Sequence, residues 1–277
     1  MKTWFITGAS RGFGLLLARA ALQRGDNVVA TARRPQAVVD ALGEHPQLLA
    51  LALDVTDEAA ALAGVERVVE RFGRIDVLVN NAGYGLLGAV EESSADEVRR
   101  IYETNVFGLL NVTRAVLPVM RRQRGGHVIN ISSLGGYMAY QGWGVYGSTK
   151  FAVEGITEAL AQELRPLGIH ASVVEPGFFR TDFLDSSSLS STAIEIADYA
   201  ATVGAMRGFA ADANHQQPGD PRKLVAALLL LADTPEPPQR LVLGSDAVAR
   251  VRTKNALVER ELEEWMAVTL STDHAAA

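Results

Sequence analysis

Tyr146 and Lys150 are four residues apart in the run Tyr-Gly-Ser-Thr-Lys. On a helix this spacing is about one turn, so the phenol and the ammonium group are predicted to share one face. A free tyrosine ionises near pH ~10 and is a poor base at neutral pH. A cation at about 4 Å would stabilise the phenolate by ~4 kcal/mol at an effective dielectric constant of about 20, although burial opposes this effect. We therefore predict that the Tyr146 pKa lies below its ordinary value and that the side chain exchanges a proton with an alcohol or carbonyl oxygen.

Three glycines near the N-terminus, Gly8, Gly12 and Gly14, have the spacing Gly-x3-Gly-x-Gly. The apolar run before them predicts a strand, and Leu15–Gln23 predicts a helix. A strand, a glycine turn and a helix N-terminus together form a cradle for a pyrophosphate, because free N–H groups and the helix dipole face the anion. The glycines could instead only end the strand or loosen helix packing.

Further motifs follow the glycine loop in a fixed order: Asn80-Asn81-Ala82-Gly83, Asn105, Ser133, Tyr146, Lys150, Pro176-Gly177 and Thr181. In this order and spacing, from residue 2 to about residue 182, the chain resembles a short-chain dehydrogenase/reductase of the short, single-domain type. Its glycine loop, the end of its second strand and its C-terminal extension are most similar to the steroid- and retinoid-type branch. The resemblance is specific for the family and does not fix a substrate.

The resemblance implies that Tyr146 is the general acid in reduction and the general base in oxidation. Lys150 would lower the Tyr146 pKa and hold the nicotinamide ribose, and Ser133 would donate a hydrogen bond to the substrate oxygen. Asn105 would support a water-mediated proton path to Lys150. Ser132 could also be the donor, but the interval of thirteen residues to Tyr146 favours Ser133. The implied catalytic residues are Asn105, Ser133, Tyr146 and Lys150.

The end of the second predicted strand bears on the choice of cofactor. NAD-binding proteins place Asp or Glu here to bind the ribose hydroxyls, but Ala32 occupies the position and Arg33 and Arg34 follow it. A guanidinium group can bind the 2′-phosphate of NADP through two hydrogen bonds, although the two arginines could also form an exposed turn. We therefore predict NADP(H) rather than NAD(H). The predicted cofactor contacts are Gly8, Ser10, Arg11, Gly12, Phe13, Gly14, Arg33, Arg34, Asp54, Val55, Asn81, Ala82, Gly83, Tyr146, Lys150, Pro176, Gly177 and Thr181.

Other titratable residues have less specific surroundings. Asp54 resembles the family's adenine contact, but it could equally cap the helix that follows Thr56. Glu91-Glu92 is typical of a solvated charge pair rather than a catalytic dyad. The five histidines are scattered without the spacing of metal ligands, so no metal is predicted, and His127 and His170 are expected to be structural.

Apolar and aromatic residues gather around the serine–tyrosine stretch and near Thr181. They suit a pocket for a hydrophobic ketone or alcohol, but they could also belong to the core or cover a subunit contact. Residues 182–215, Ser-rich at first and then helical in pattern, are predicted to form a lid that sets substrate preference. The predicted substrate contacts are Ser133, Met138, Tyr140, Trp143, Phe178 and Phe183, and Phe179 and Leu184 belong to the same cluster.

Strand-like and helical patterns alternate along the chain, which predicts a Rossmann-like, doubly wound α/β fold with a mostly parallel seven-stranded sheet and helices on both faces. We treat residues 1–277 as a single domain with a helical extension at 245–270. The predicted strands are Thr3–Ile6, Asn27–Thr31, Leu48–Leu53, Val77–Asn80, His127–Ile131, His170–Val174 and Leu241–Leu243. The predicted helices are Leu15–Arg24, Glu58–Phe72, Ala95–Arg122 and Val145–Leu167.

Composition narrows the function classes. A net charge of −6 over 277 residues argues against nucleic-acid and anionic-membrane partners, and the absence of cysteine excludes disulfides and thiolate metal sites. The longest apolar run, Leu224 to Ala232, is far shorter than the ~20 residues of a membrane span, and the first strand leaves no room for a signal sequence. We expect a cytoplasmic protein. The family resemblance implies a homodimer or homotetramer built on the two long helices.

The leading functional prediction is an NADP(H)-dependent carbonyl reductase or alcohol dehydrogenase that acts on a hydrophobic ketone or secondary alcohol. A catalytically silent NADP(H)-sensing protein is a second hypothesis, but such a protein would not need Ser133, Tyr146 and Lys150 together. A redox-neutral epimerase or dehydratase is a third, although its glycine spacing would be Gly-x2-Gly-x2-Gly and its substrate-binding portion longer.

Overall fold

Seven parallel strands form the central sheet of the computed structural model, which describes residues 1–274. Their order across the sheet is β3-β2-β1-β4-β6-β7-β9, and every neighbouring pair is parallel. This confirms the predicted Rossmann-like fold. The strands are β1 (Thr3–Ile6), β2 (Asn27–Ala32), β3 (Leu48–Ala52), β4 (Val77–Asn80), β6 (Gly126–Ile131), β7 (Ile169–Pro176) and β9 (Arg240–Leu243). A separate pair, β5 (Gly85–Leu87) and β8 (Leu189–Ser191), forms a small parallel sheet.

Helices cover both faces of the central sheet. Successive β1 residues point to opposite sides, since Trp4 and Ile6 pack in one core cluster and Phe5 packs in the other. Helices α1 and α8 cover the first cluster, and α3 and α5 cover the second. The helices are α1 (Gly12–Gln23), α2 (Gln36–Leu42), α3 (Glu58–Phe72), α4 (Ala95–Tyr102), α5 (Gly108–Gln123), α6 (Gly144–Leu164), α7 (Ala205–Ala213), α8 (Pro221–Asp233), α9 (Ser245–Glu264) and α10 (Met266–Leu270).

The predicted helix Ala95–Arg122 was wrong as one uniform α-helix. A π-helical turn over Glu103–Phe107 separates α4 from α5, and Asn105 lies within it. Such turns concentrate at functional sites because they displace a side chain from the regular helical register. Likewise, α6 ends at Leu164, three residues before the predicted boundary, and a 3-10 turn follows. The short elements α2, β5 and β8 were not predicted.

The order of the strands determines where a ligand can enter. It reverses at β1, which pairs with β2 on one side and with β4 on the other. The loops that leave β1 and β4 therefore diverge at their carboxyl ends and open a crevice, which is where open α/β sheets bind ligands. Beyond the sheet, α9 and α10 extend the chain. Within residues 1–274, no helix has both the length and the apolar character to cross a membrane.

His127 at the start of β6 makes folding sensitive to acid. The ring is 5% exposed and Nε2 lies 3.0 Å from Ser172 Oγ. Burial, with a smaller contribution from the charges of the nearby His170 and Lys2, lowers its pKa to about 3. Unfolded chains therefore take up a proton below pH ~6.5 while the folded chain does not, so stability is lost as pH falls.

We expect the free energy of unfolding of His127→Gln to fall less steeply with acid than that of the wild type, by about 3 kcal/mol at pH ~4. Denaturant titrations across this pH range measure the difference. His45→Gln, at an exposed position, serves as the control. Parallel wild-type and His127→Gln curves would show that the histidine does not titrate on unfolding.

Candidate active site

The loop after β1 brings two segments of backbone into close contact. Gly8 has a φ of +64°, and a Cβ there would lie 2.9 Å from Ala82 Cα, so only glycine fits without displacement. Gly12 has a φ of +56°, and a Cβ there would meet nothing within 4 Å, because the residue faces an open cavity. The two glycines thus serve different needs: Gly8 permits packing against the loop after β4, and Gly12 leaves space for a ligand.

Helix α1 begins at Gly12 with an N-terminus that no side chain caps, since its N-cap residue Arg11 makes no capping hydrogen bond. The N–H groups of the first helical turn therefore have no partner within the helix. Together with the helix dipole, they favour an anion at this end of the cavity.

Asn81 and Thr7 hold the two loops together. Asn81 Nδ2 donates to the carbonyl oxygens of Thr7 and Gly8 at 3.0 Å each. Thr7 Oγ1 accepts from the N–H groups of Asn81 (2.9 Å) and Ala82 (3.0 Å). The sequence prediction gave Asn81 a direct cofactor role and gave Thr7 none. Both residues set the shape of the crevice, and the Thr-Gly start of the loop was the available signal for Thr7.

The predicted catalytic side chains converge near the carboxyl end of β6 and the first two turns of α6. Tyr146 is 6% exposed and Lys150 is 7% exposed. The Lys150 ammonium donates to the Ile131 carbonyl at 2.9 Å and lies 5.9 Å from the centre of the Tyr146 ring. Ser133 Oγ accepts from the Gly135 N–H at 3.0 Å, which fixes its direction. Phenol, hydroxyl and ammonium are thus brought together as the spacing predicts.

The predicted lowering of the Tyr146 pKa was wrong for the chain alone. Burial raises the pKa of Tyr146 to about 12, and the neighbouring Ser133 hydroxyl only partly opposes this. Burial also lowers the pKa of Lys150 to about 8, against the opposing charge of Glu154. The desolvation of both groups outweighs their mutual attraction, so in the chain by itself Tyr146 is a neutral proton donor.

Asn105 is fixed entirely by hydrogen bonds within the protein. Its Nδ2 donates to the Tyr84 carbonyl (3.0 Å) and to Thr149 Oγ1 (3.1 Å), and its Oδ1 accepts from the Tyr84 N–H (3.0 Å). The π-helical turn makes this reach possible. Asn105 therefore holds the chain at Gly83, where a Cβ would lie 3.0 Å from Asn105 Oδ1 and 3.7 Å from Lys150 Nζ.

One cavity of about 1230 Å³ joins the glycine loop to the predicted catalytic side chains and to residues 182–215. It is lined by most of the residues predicted from sequence. These are Gly8, Ser10, Arg11, Gly12, Phe13, Arg33, Arg34, Asp54, Val55, Asn81, Ala82, Gly83, Ser133, Tyr140, Trp143, Tyr146, Lys150, Pro176, Gly177, Phe178, Thr181 and Phe183.

Three predicted site residues do not line this cavity: Gly14, Asn105 and Met138. A Cβ at Gly14 would lie 2.6 Å from Gly8 O, so this glycine is needed for packing within the loop rather than for ligand contact. Asn105 lies behind Gly83. Met138 is half-buried and follows the 3-10 turn Leu134–Gly136, between the lining residues Gly135 and Tyr140.

The end of the cavity near β2 is rich in cations. Arg33 and Arg34 are exposed and line the cavity. Within residues 1–274 neither of them pairs with a carboxylate. Arg11 also lines the cavity, and its Nη2 donates to the Ser187 carbonyl of the lid. This end therefore offers guanidinium donors where a carboxylate would be needed to bind two ribose hydroxyls.

The alternative assignment of Asp54 as a helix cap was wrong. Asp57 is the N-cap of α3, and its side chain accepts from the Ala60 N–H at 2.9 Å. Asp54 Oδ1 instead accepts from the N–H (3.0 Å) and hydroxyl (2.8 Å) of Thr56 and lies at the cavity wall. Its second carboxylate oxygen makes none of these bonds and is therefore the one that a ligand could use.

The opposite end of the cavity is aromatic. Trp143 packs edge-on against Tyr146 with ring centres 5.6 Å apart and stacks on Phe183 at 6.4 Å. Phe178 meets Phe209 of α7 at 5.9 Å. Sequence reasoning missed several lining residues, and four of them come from residues 182–215, the segment after them and α9. They are Met206, Phe209, Gln217 and Arg250.

Two of the contacts that hold the predicted lid (residues 182–215) in place involve charged side chains, and the first overturns a prediction. Glu92 is not solvated but 1% exposed. Its carboxylate accepts from Arg207 Nη2 of α7 (2.6 Å) and from the N–H groups of Ala89 (2.7 Å) and Ile196 (2.8 Å). These backbone hydrogen bonds, first Ile196 and then Ala89, keep the pKa of Glu92 below its ordinary value. The exposed neighbour Glu91 fits the original prediction.

We expect Glu92→Gln to lower the free energy of unfolding by about 1.5–3 kcal/mol, because the charged acceptor of three hydrogen bonds becomes neutral and the mostly buried Arg207 keeps the exposed Glu195, 3.7 Å away, as its carboxylate partner. Glu91→Gln, the same change at an exposed position, should cost less than about 0.5 kcal/mol. Denaturant unfolding of both variants makes the comparison. Equal losses would contradict the anchoring role of Glu92.

The second contact joins the two ends of the lid. Asp185 accepts from Asn214 Nδ2 and lies 3.3 Å from His215 Nε2. With Asp182, these side chains place three possible ligand atoms within 4.8 Å of one another, a grouping that the scattered histidines did not predict. All three residues are at least partly exposed, and the contact links the start of residues 182–215 to their end.

The chain is similar in sequence to proteins of a known family. The family model described as short chain dehydrogenase matches residues 2–192. An oxidoreductase from Botryotinia fuckeliana, BOA17, is 40% identical over 98% of this chain and 99% of its own length. A 3-ketodihydrosphingosine reductase from Bacteroides thetaiotaomicron is 40% identical over 86% of each chain.

Solved structures agree with these relatives. A short-chain dehydrogenase from Streptomyces avermitilis superposes with a TM-score of 0.92 at 43% identity, with 99% of each chain covered. A Burkholderia phymatum protein in complex with NAD has a TM-score of 0.82 at 25% identity, covering 94% of this chain and 95% of its own. A serine dehydrogenase complexed with NADP⁺ has a TM-score of 0.72 at 29% identity, covering 87% and 94%. Similar structures thus bind either nicotinamide dinucleotide.

Proposed function

This chain belongs to the short-chain dehydrogenase family, and on that premise we propose that it is an NADP(H)-dependent oxidoreductase acting on a hydrophobic ketone or secondary alcohol. One observation carries the proposal: Ser133, Tyr146 and Lys150 line the same cavity as the glycine loop. A single ligand in this cavity would therefore contact both the proton donor and the anion-binding glycine loop.

The residues present fit a nicotinamide dinucleotide. The uncapped first turn of α1 and the open space at Gly12 suit its diphosphate. Arg33 and Arg34, without carboxylate partners and with Ala32 before them, suit a 2′-phosphate and support NADP(H) over NAD(H). When bound, such a dinucleotide supplies or accepts the hydride at its nicotinamide ring.

The side chains of this chain provide the proton and the alignment. Tyr146, neutral because burial raises its pKa to about 12, donates its proton to the carbonyl oxygen during reduction. Ser133 donates a hydrogen bond to the same oxygen as negative charge develops there. Lys150 stabilises the phenolate that remains, and in oxidation Tyr146 takes the proton back. Asn105 positions the backbone between these groups through Tyr84 and Thr149.

The aromatic end of the cavity supports an apolar substrate. Trp143, Phe178, Phe183 and Phe209 present ring surfaces to it, and α7 adds Met206. Such a wall binds alkyl or aryl groups on either side of a carbonyl better than it binds sugars or charged amines. We propose that residues 182–215 act as the lid that selects among these groups.

The test is consumption of NADPH and, separately, of NADH by the purified chain against long-chain 3-keto compounds, aryl ketones and cyclic ketones. The proposal expects turnover with NADPH and apolar ketones and a lower kcat/KM with NADH. Cofactor binding without turnover on any carbonyl would favour the nucleotide-sensing alternative. A higher kcat/KM with NADH would overturn the cofactor assignment.

The proposed homodimer or homotetramer has a candidate surface. Phe107 at the start of α5 and Phe151 on α6 are 48% and 44% exposed, on the two helices expected to pair. Exposed aromatic side chains on neighbouring helices are typical of subunit contacts. Light scattering on the purified chain measures the mass directly.

A further inference from the structure

Two buried carboxyl groups, one of them a helical turn from Lys150, have no part in the mechanism described above. Glu154 follows Lys150 by one helical turn on α6 and is 5% exposed. Glu175 on β7 is completely buried. Neither lines the active-site cavity. Carboxylates are rarely buried this deeply without full compensation, because removing them from water is costly.

A single cation serves both carboxyl groups. Arg240 Nη1 donates to Glu154 Oε2 and to Glu175 Oε1, the latter at 2.9 Å. Its Nη2 donates to Glu158, whose side chain is half exposed and therefore solvated. If Glu154 and Glu175 were both ionised, the one guanidinium that hydrogen-bonds to them would be shared by two buried carboxylates and by Glu158, and Lys150 would be the further cation beside Glu154.

The other carboxylate oxygen of each glutamate lacks a hydrogen-bond donor in the described part of the chain. Glu154 Oε1 and Glu175 Oε2 are both buried and lack a donor among residues 1–274, as the Ser132 hydroxyl lacks a partner. One Arg240 nitrogen donates to both carboxyl groups, which places them side by side. Burial raises the pKa of Glu154, the neighbouring Ser132 hydroxyl opposes this, and the charge of Glu175 raises it further. A proton between the two free oxygens would satisfy both.

The groups around this pair and its arginine come from three parts of the chain. Helix α6 contributes Lys150 and Glu158, β9 contributes Arg240, and the segment after β6 contributes Ser132 and Tyr137. The Tyr137 ring lies 5.7 Å from Arg240 Cζ. Lys150, whose pKa burial lowers to about 8, is kept charged chiefly by the Glu154 carboxylate.

We propose that Glu154 and Glu175 share one proton, held between Glu154 Oε1 and Glu175 Oε2, and that the one remaining negative charge keeps Lys150 protonated. The O–H of one carboxylic acid donates to the carboxylate of the other, so no further proton or ion is needed. The pair is a positioning group that acts through Lys150. An effect of the pair on catalysis depends on the proposed function. The existence of the shared proton does not depend on it.

Conservative substitutions separate this proposal from a purely structural anchor for Arg240. If one proton is shared, Glu175→Gln leaves the net charge of the pair unchanged, because an amide N–H replaces the acid O–H. If both groups are ionised, the same change removes one negative charge. Glu158→Gln is the matched control, since Glu158 binds the same arginine from a half-exposed position.

Infrared spectroscopy of the full chain, without cofactor, detects the shared proton. At pH ~7 we expect a buried carboxylic acid C=O band in the wild type that shifts in D2O. The band should persist in Glu158→Gln and disappear in both Glu154→Gln and Glu175→Gln. A wild type without such a band would overturn the proposal even if no variant folds, and so would a band that survives in both single variants.

Titration of isotope-labelled lysine side chains by NMR tests the effect on Lys150. The chain has only four lysines, and Lys150→Arg identifies the relevant signal. In Glu154→Gln/Glu175→Gln, Lys150 should lose its proton at a pH about one unit lower than in the wild type, a tenfold change in its proton affinity. Glu175→Gln alone should titrate like the wild type. An unchanged Lys150 titration in the double variant would show that the pair does not control the ammonium group. Neither measurement uses cofactor or substrate, so failure of the proposed function would be seen separately.

Discussion

Tyr146→Phe is expected to lower kcat for ketone reduction by about 10²–10⁴-fold while NADPH still binds. The change removes one oxygen and its proton and leaves the ring in place. That ring packs against Trp143 and Phe183, so the pocket keeps its shape. Transient kinetics with NADPH and the best ketone of the panel measure the loss, and fluorescence titration measures binding.

Tyr102→Phe is the matched control for this prediction. Tyr102 packs in the same apolar cluster as Tyr146, but its hydroxyl donates to Ser148 Oγ and the residue does not line the cavity. Removing the Tyr102 hydroxyl should change kcat by less than about threefold. Near-full activity in Tyr146→Phe would assign the proton donor to another residue.

Arg33→Asp is expected to reduce the ratio of kcat/KM for NADPH to that for NADH by roughly 10–100-fold. A charge-assisted contact to the 2′-phosphate is worth about 1.5–3 kcal/mol, and the new carboxylate can accept hydrogen bonds from the ribose hydroxyls of NAD instead. Initial rates with both cofactors at a fixed ketone concentration give the ratio.

Arg67→Asp makes the same change of charge at an exposed site on α3 outside the cavity, and it should leave the ratio unaltered. If both variants shift the ratio equally, long-range charge rather than contact is responsible. If Arg33→Asp leaves it unchanged, Arg33 does not bind the phosphate and Arg34 becomes the residue to test.

Much of this molecule follows from short-range sequence rules. The strands of the sheet are short apolar runs, and those in its middle are buried on both faces, so strand positions were predicted to within two residues at either end. The glycine loop and the Tyr146–Lys150 spacing were predictable for the same reason, since each depends on neighbours in sequence. Their gathering into one cavity follows from the parallel sheet, which brings the carboxyl ends of its strands to one edge.

The wrong or missing predictions concern features that depend on contacts between residues far apart in sequence. Glu91 and Glu92 are indistinguishable in sequence, yet only Glu92 meets Arg207, which is 115 residues away. The pKa of Tyr146 depends on how much protein covers it, and that quantity has no local sequence signal. Arg250 reaches the cavity from α9, beyond every recognisable motif. The π-helical turn at Asn105 likewise depends on contacts with Tyr84 and Thr149.

Transfer of deuterium from NADPH that carries deuterium at both C4 positions of the nicotinamide ring tests the central claim most directly. The wild-type chain is predicted to give an alcohol that carries one deuterium on the former carbonyl carbon, detected by mass spectrometry, while Tyr146→Phe gives almost none in the same time. Bound cofactor that yields no labelled alcohol from any ketone in the panel would contradict hydride transfer in this cavity.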